Sequence, residues 1–390
     1  MKIFVLLSRV PYPIEKGDKL RAYHQIKYLA KKNEIILCAL CDNKLDKNAV
    51  KELSKFCKSV TIIKLPKFKI FLNIIKSIFN GNPFQVGYFY NRKAKKIIDK
   101  IILEENPDHI FCQLLRIAEY VKNYNIPKTL DYQDVFSKGV ERRIKNAAFL
   151  LKPFFKSEYK RLLKAENKNF DYFDIKTIIS KPDRELIPHK DKDEIMIIRN
   201  GVDHEFFKPM QQEKEYDLVF IGNMGYPPNI NGAEYIVKRI LPLVYKKKPD
   251  IKLLIAGAQP HKKVMALKSD KVSVSGWVED IRQCYAKSKI FIAPMQIGTG
   301  LQNKLLEAMS MKIPCITSSL ANKALNAKEN DEILVGTEPE EYAKHIIFLL
   351  DNKAAADKIA LNGYNFVLKN YNWDNATKIL EDRMFEISLK

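Results

Sequence analysis

Short runs of apolar residues alternate with mixed polar stretches along the whole chain. Residues 3–7, 34–39, 60–65, 109–112 and 129–132 are runs of strand length, and the spacing predicts helices over 20–30 and 47–56 between the earlier ones. Short apolar runs separated by helical segments indicate parallel strands covered on both faces by helices. The pattern then recurs, with predicted strands at 216–221, 252–256, 272–274, 290–293, 315–317 and 333–335. Two doubly wound, Rossmann-like α/β domains in tandem are the expectation. A polar passage over 180–212, containing Pro182, Pro188 and Pro209, separates them. Domains of 1–185 and 186–370 follow, with 371–390 as a closing helix that returns to brace the first domain.

Length agrees, because 390 residues exceed what one core usually holds. The net charge of +21 points to an anionic partner: nucleic acid, anionic lipid or a phosphorylated substrate. No zinc-finger spacing, RNP-like aromatic strand or helix-turn-helix is present, so nucleic acid is not the expected partner. The apolar run at the N-terminus is too short for a signal peptide, and Arg9 and Pro11 end it. No stretch approaches the roughly 18 to 20 apolar residues of a membrane span, and a cytoplasmic protein is expected. Six cysteines are scattered mostly in strand-like contexts, as buried reduced thiols would be. Cys38 and Cys41 have C-x-x-C spacing but sit along a strand with no second ligand pair.

Candidate chemistry concentrates where predicted strands run into loops. After the strand at 290–293, Gly298, Thr299, Gly300, Leu301 and Gln302 lead into a helix expected to begin near Gln302. Glycines let main-chain amides approach a ligand, and the helix start favours phosphate. Asn303, Lys304 and Glu307 share about one face of that helix, where Lys304 supplies a mobile positive charge and Glu307 an acceptor for ribose hydroxyls. Gly222 and Gly225 sit in the first loop of the second domain with Asn229 just beyond, and Val278 precedes a helix that Asp280 caps. The Val278 main chain suits a nucleobase edge. In the first domain, Gly17 opens a helix, with Lys19 and Arg21 as charges for phosphate or acceptor groups. Asp131 and Asp134 follow a strand and suit positioning a hydroxyl or taking a proton, and Asp134 equally suits a helix cap. Gln113 and Arg116 occupy the preceding loop.

These motifs in this order resemble family 4 retaining glycosyltransferases of GT-B fold: Asn-Gly-Val-Asp at 200–203, Phe-Ile-Gly at 220–222, Gly-Trp-Val-Glu-Asp at 276–280 and Asn-Lys-Leu-Leu-Glu-Ala-Met at 303–309. The opening Pro-Tyr-Pro with Lys-Gly-Asp-Lys-x-Arg is similar to the branch associated with exopolysaccharides. The resemblance implies two Rossmann-like domains facing a cleft, with a nucleotide-diphosphate sugar donor on the second and a glycan or lipid-linked acceptor on the first. It implies that Glu307 binds ribose, Val278 meets the base, and 298–302 lies along sugar and diphosphate. It also implies no metal and no bound cofactor. Thr299 stands where the family pattern has a donor-sugar glutamate, eight residues before Glu307. The family's usual cations beside the first loop are absent from 223–231, leaving Lys304, and secondarily Arg282, to neutralise diphosphate. A nucleotide-sugar epimerase or hydrolase of the same fold, or a non-catalytic sugar-nucleotide-binding subunit, are the alternative functions.

Two basic apolar stretches, 67–79 and 138–164, have the composition of segments that rest on an anionic membrane surface. A core helix with solvated lysines is the other reading of the same pattern.

Overall fold

Phe4 and Leu6 point to one side of the first strand, Ile3, Val5 and Leu7 point to the other, and all five are buried. That two-sided burial is why the run is apolar at every position. The strand belongs to a computed structural model that describes residues 1–14, 17–297 and 300–389.

The chain forms two units, Met1–Asn200 with Trp373–Lys390, and Gly201–Asn372. In the first, β1 (Lys2–Leu7), β2 (Glu34–Cys41), β3 (Ser59–Lys64), β4 (His109–Gln113), β5 (Lys128–Gln133), β6 (Ile175–Ile178) and β7 (Met196–Ile197) make a seven-stranded sheet. Its order is β3-β2-β1-β4-β5-β6-β7, and every pairing is parallel. Phe4 lies level with Ile36 on one neighbour and with Ile110 on the other. Cys38 and Cys41 of β2 fall into different core clusters on opposite faces, so the pair cannot act together.

The second unit repeats the plan. Strands β8 (Tyr216–Ile221), β9 (Leu253–Ala256), β10 (Val272–Val274), β11 (Ser288–Ala293), β12 (Cys315–Ser318) and β13 (Leu334–Gly336) run parallel in the order β10-β9-β8-β11-β12-β13. In each sheet the strand order reverses once, between β1 and β4 and between β8 and β11. Open α/β sheets bind ligands at the carboxyl ends of the strands beside such a reversal.

The division falls at Asn200, later than the expected 185. Strands β6 and β7 extend the first sheet beyond its expected edge, and both are short: Ile-Lys-Thr-Ile and Met-Ile. The helix Trp373–Ser388 belongs to the first unit. There the Trp373 indole stacks on His24 with centroids 5.1 Å apart, and Lys31 pairs with Asp374 at 2.5 Å. Leu380 and Met384 on the same helix are fully buried, each worth about 1.5–3 kcal/mol of apolar burial.

Candidate active site

In the second unit, the helix Asn303–Ser310 starts one residue after Gln302, which occupies the N-cap without making a side-chain cap. Gln302 instead donates from Nε2 to the Gly300 carbonyl at 2.9 Å. Asn303 Oδ1 is buried and has no partner among the described residues. An uncapped helix start leaves amide donors open to an anion, and the unanswered acceptor beside it is open to a hydroxyl donor. Leu301 packs partly buried on the core, whereas Gly300 is exposed. Gly298 and Thr299 lie outside the described residues.

Lys304 is not the mobile charge expected from sequence. Its Nζ donates to Asn229 Oδ1, lies 3.8 Å from Met295 Sδ and sits 4.9 Å from the centre of the Phe220 ring. Burial pushes its ammonium down to about 7, and the Glu307 charge pulls it part of the way back. Glu307 Oε2 accepts the Tyr285 hydroxyl at 2.8 Å, and the same hydroxyl lies 3.2 Å from the Lys304 carbonyl. Burial raises the Glu307 carboxyl, while Tyr285 and then Lys304 hold it down. Asn229, Lys304 and Glu307 therefore gather around the carboxyl ends of β8 and β11, at the reversal.

Tyr285 was not found from sequence. It lies in a six-residue helix, Ile281–Ala286, and only the carboxylate its hydroxyl meets ties it to this group of residues. Arg282, on the same helix, is removed from the cation candidates. Its guanidinium is engaged by Asp280, with contacts of 2.8 to 3.1 Å, and stacks 4.0 Å from the Phe206 ring. Asp280 does cap that helix, accepting the Arg282 amide at 3.0 Å. The Val278 side chain is half-buried against the core, just ahead of Asp280.

Gly222 has a different job from the expected approach to a ligand. A Cβ there would lie 2.6 Å from Asn229 Nδ2, and a Cβ on Gly257 would lie 1.9 Å from the Gly222 carbonyl oxygen. The bare backbone lets Asn229 close over the strand end, where its Nδ2 donates to the Asn223 carbonyl at 2.9 Å. That bond leaves Asn229 Oδ1 facing Lys304.

In the first unit the two carboxylates after β5 part company. Asp131 is fully buried: Arg21 donates to it from Nε at 2.6 Å and Nη2 at 3.0 Å, and Thr177 donates at 2.8 Å. Arg21 also reaches the Ile198 carbonyl and Asn200 Oδ1. Both residues thus form a structural knot tying the helix Gly17–Leu29 to β5 and β6. Neither Asp131 as proton acceptor nor Arg21 as ligand charge survives. Asp134 is exposed, and it accepts the Val135 amide instead of capping the helix Phe136–Asn146. That helix takes its first-turn bond from Glu166, whose Oε1 accepts the Ser137 amide at 2.9 Å.

Gly17 is exposed at its helix start, and a Cβ there would meet open space, so no close approach requires the glycine. Near it Arg9 pairs with Asp18 at 2.7 Å. Arg116 donates to Gln85 Oε1 at 3.2 Å and lies over the Phe136 ring, with burial and then Arg9 pushing it down to about 10. Gln113 Nε2 and Gln133 Oε1 are buried without partners among the described residues. Among those residues, no three His, Cys, Asp or Glu side chains gather as a metal site.

Residues 215–352 match the family model of glycosyl transferases group 1. The group 1 segment contains all six strands of the second sheet together with Asn229, Lys304 and Glu307. Over nearly its whole length the chain is also 24% identical to an uncharacterized 44.6 kDa protein in the cps region of Klebsiella pneumoniae, covering 95% of this chain and 96% of that one. Among solved structures, sucrose-phosphate synthase from Thermosynechococcus elongatus superposes with a TM-score of 0.72 at 14% identity, covering 99% of both chains. HepE from Anabaena in complex with UDP gives 0.71 at 13% identity, covering 99% of this chain and 100% of that one. The fold is accordingly GT-B, with two Rossmann-like units, as the motif order implied.

Proposed function

We propose that this chain is a retaining glycosyltransferase that moves a hexosyl group from a nucleoside diphosphate sugar to a glycan or lipid-linked acceptor in the cytoplasm, in the synthesis of a surface polysaccharide. The observation that carries this reading is the half-buried Lys304 ammonium bonded to Asn229 at the strand reversal of the group 1 segment, next to an uncapped helix start. HepE, a structural neighbour, has been solved with UDP and with UDP-glucose, and the related Klebsiella protein lies in a cps region. Both support a sugar-nucleotide donor and a polysaccharide setting.

Breaking the anomeric C–O bond leaves negative charge on the β-phosphate oxygen. Lys304 and the first amides of the helix Asn303–Ser310 are fixed donors for that charge, and fixed donors stabilise the transition state without reorganising. With this cation in place the reaction is proposed to need no metal or other cofactor. Glu307, oriented by Tyr285, accepts the ribose hydroxyls, and the Val278 main chain meets the base. The acceptor attacks from the face the diphosphate leaves, and the departing diphosphate takes its proton. Gln113, Arg116 and Gln133 in the first unit are the acceptor-side candidates, because they leave buried polar atoms unanswered.

A thermal-shift screen of nucleoside diphosphates and their sugars tests donor binding, since a ligand of the native state raises the midpoint by mass action. A stabilising nucleoside diphosphate sugar, followed by product formed only when an acceptor glycan is added, is the expected result. Product without acceptor indicates a hydrolase or epimerase, and donor binding without product over an acceptor panel indicates a binding subunit.

A further inference from the structure

The helix Lys67–Asn80 is apolar on two opposite faces. Its inner face is fixed by Ser77, whose Oγ lies 2.0 Å from where a Cβ on Gly87 would sit, and by Asn73, which donates to the Tyr90 carbonyl at 2.5 Å. Only glycine permits that approach, so the helix has one rotation on the unit. Its outer face carries Phe68, Phe71 and Phe79, which are 71%, 61% and 85% exposed. Leu72, Ile75 and Ile78 are exposed with them.

A second apolar run is fastened beside it. Phe149 and Leu150 are 84% and 87% exposed just before the helix Lys152–Phe170. Phe154 of that helix stacks on Phe84 with centroids 4.6 Å apart. Arg161 crosses the Phe84 ring and donates to the Ser77, Ile78 and Asn82 carbonyls, pinning the end of the first helix. The charges around this surface have one sign. Lys69 and Lys76 line one edge of the first helix, and Lys156 and Lys160 are exposed on the helix Lys152–Phe170. Across 67–80 and 147–160 the sole acidic residue is Glu158, which is buried and accepts the Phe84 and Gln85 amides.

We propose that this face of the first unit docks on an anionic lipid bilayer, its phenylalanines entering the boundary between headgroups and acyl chains and its lysines meeting lipid phosphates. Charge selects the bilayer over a second copy of the chain, because a symmetric pair would bring the same cations face to face on a protein already at +21. No helix among the described residues is long and apolar enough to cross a membrane, so contact through a surface is the form available to these helices. The inference is independent of the sugar-transfer reading, since it uses none of the residues placed at the donor site.

The test is co-sedimentation of the full chain with vesicles of phosphatidylglycerol and phosphatidylcholine, against phosphatidylcholine alone, at low and high salt. Binding only to the anionic vesicles and weakening with salt is expected. The pair Phe68→Ser and Phe79→Ser, and separately the pair Lys69→Gln and Lys76→Gln, should each weaken it about tenfold with an unchanged melting curve. No binding to anionic vesicles at low salt overturns the proposal, as does binding that neither pair alters. Light scattering that shows a dimer dissociated by the serine pair also overturns it.

Discussion

Lys304 Nζ donates to Asn229 Oδ1 across 75 positions of sequence, joining the helix after β11 to the helix after β8 at the point where the strand order reverses. The pair holds a half-buried ammonium with an amide oxygen as its hydrogen-bond acceptor. Such a site is costly to the free protein and useful to an anion.

Replacing that ammonium separates stability from activity. Lys304→Met puts an apolar side chain beside Phe220 in place of the half-buried charge, so the thermal midpoint should hold or rise, by roughly 2–4 °C for each kcal/mol recovered. Turnover should fall about ten- to a thousandfold, the usual loss for a fixed donor at a developing charge. Near-normal turnover in the methionine variant removes Lys304 from its assigned role.

Proton linkage gives a second check on the same residue. With its folded value near 7 against about 10.4 in an open chain, Lys304 is largely neutral at pH about 8 to 9 before a ligand arrives. A diphosphate that pairs with the charged form must draw a proton in. Affinity for a nucleoside diphosphate should therefore weaken by up to tenfold per pH unit between about 7 and about 10. Titration calorimetry in buffers of different ionisation enthalpy measures the uptake directly, and zero uptake at pH about 8.5 contradicts it.

Tyr285→Phe should act on binding. It deletes the hydrogen bond that holds Glu307 in place and holds its carboxyl down. Losing a hydrogen bond to a charged group costs about 1.5–3 kcal/mol, so KM for the donor should rise at least about tenfold with kcat little changed. A drop in kcat at unchanged KM points to a role for Tyr285 other than orienting Glu307.

Asp131→Asn should act on stability. It leaves the buried Arg21 guanidinium without its carboxylate, which typically costs about 3–5 kcal/mol, readable by urea unfolding. Turnover per folded molecule should be unchanged. A folded variant that has lost turnover restores Asp131 to the reaction.

Glu166 sets a pH dependence in the first unit. Burial pushes its carboxyl up to about 7, above the value of 4.5 it has when exposed, so the folded state holds its proton through that window and the unfolded state does not. Its contribution to stability is therefore present below 4.5 and lost as the pH rises to about 7. Glu166→Gln keeps an acceptor for the Ser137 amide and should flatten that fall. Equal pH profiles for the two proteins dispose of the assignment.

Sequence carried the alternation of strands and helices because both sheets are buried on two faces, which leaves unbroken apolar runs. It missed β6 and β7, which are too short to show a period. Helical spacing put Lys304 and Glu307 on about one face of the helix Asn303–Ser310, while the Asn229 contact with Lys304 comes from a separate helix. What sequence could not give was partnership. Asp131 reads as a free carboxylate until Arg21, 110 positions earlier, is seen to bind it. Gly222 reads as an opening until the Asn229 amide is seen to fill it.

Because the first unit takes its last helix from 373–388, its chain is interrupted by the entire second unit. A ribosome that has released residue 372 has delivered every residue of Gly201–Asn372, while Met1–Asn200 still lacks the Trp373 ring that stacks on His24. The later half is thus the first to have all of its residues, and the earlier unit receives its closing helix only after the other has been made in full.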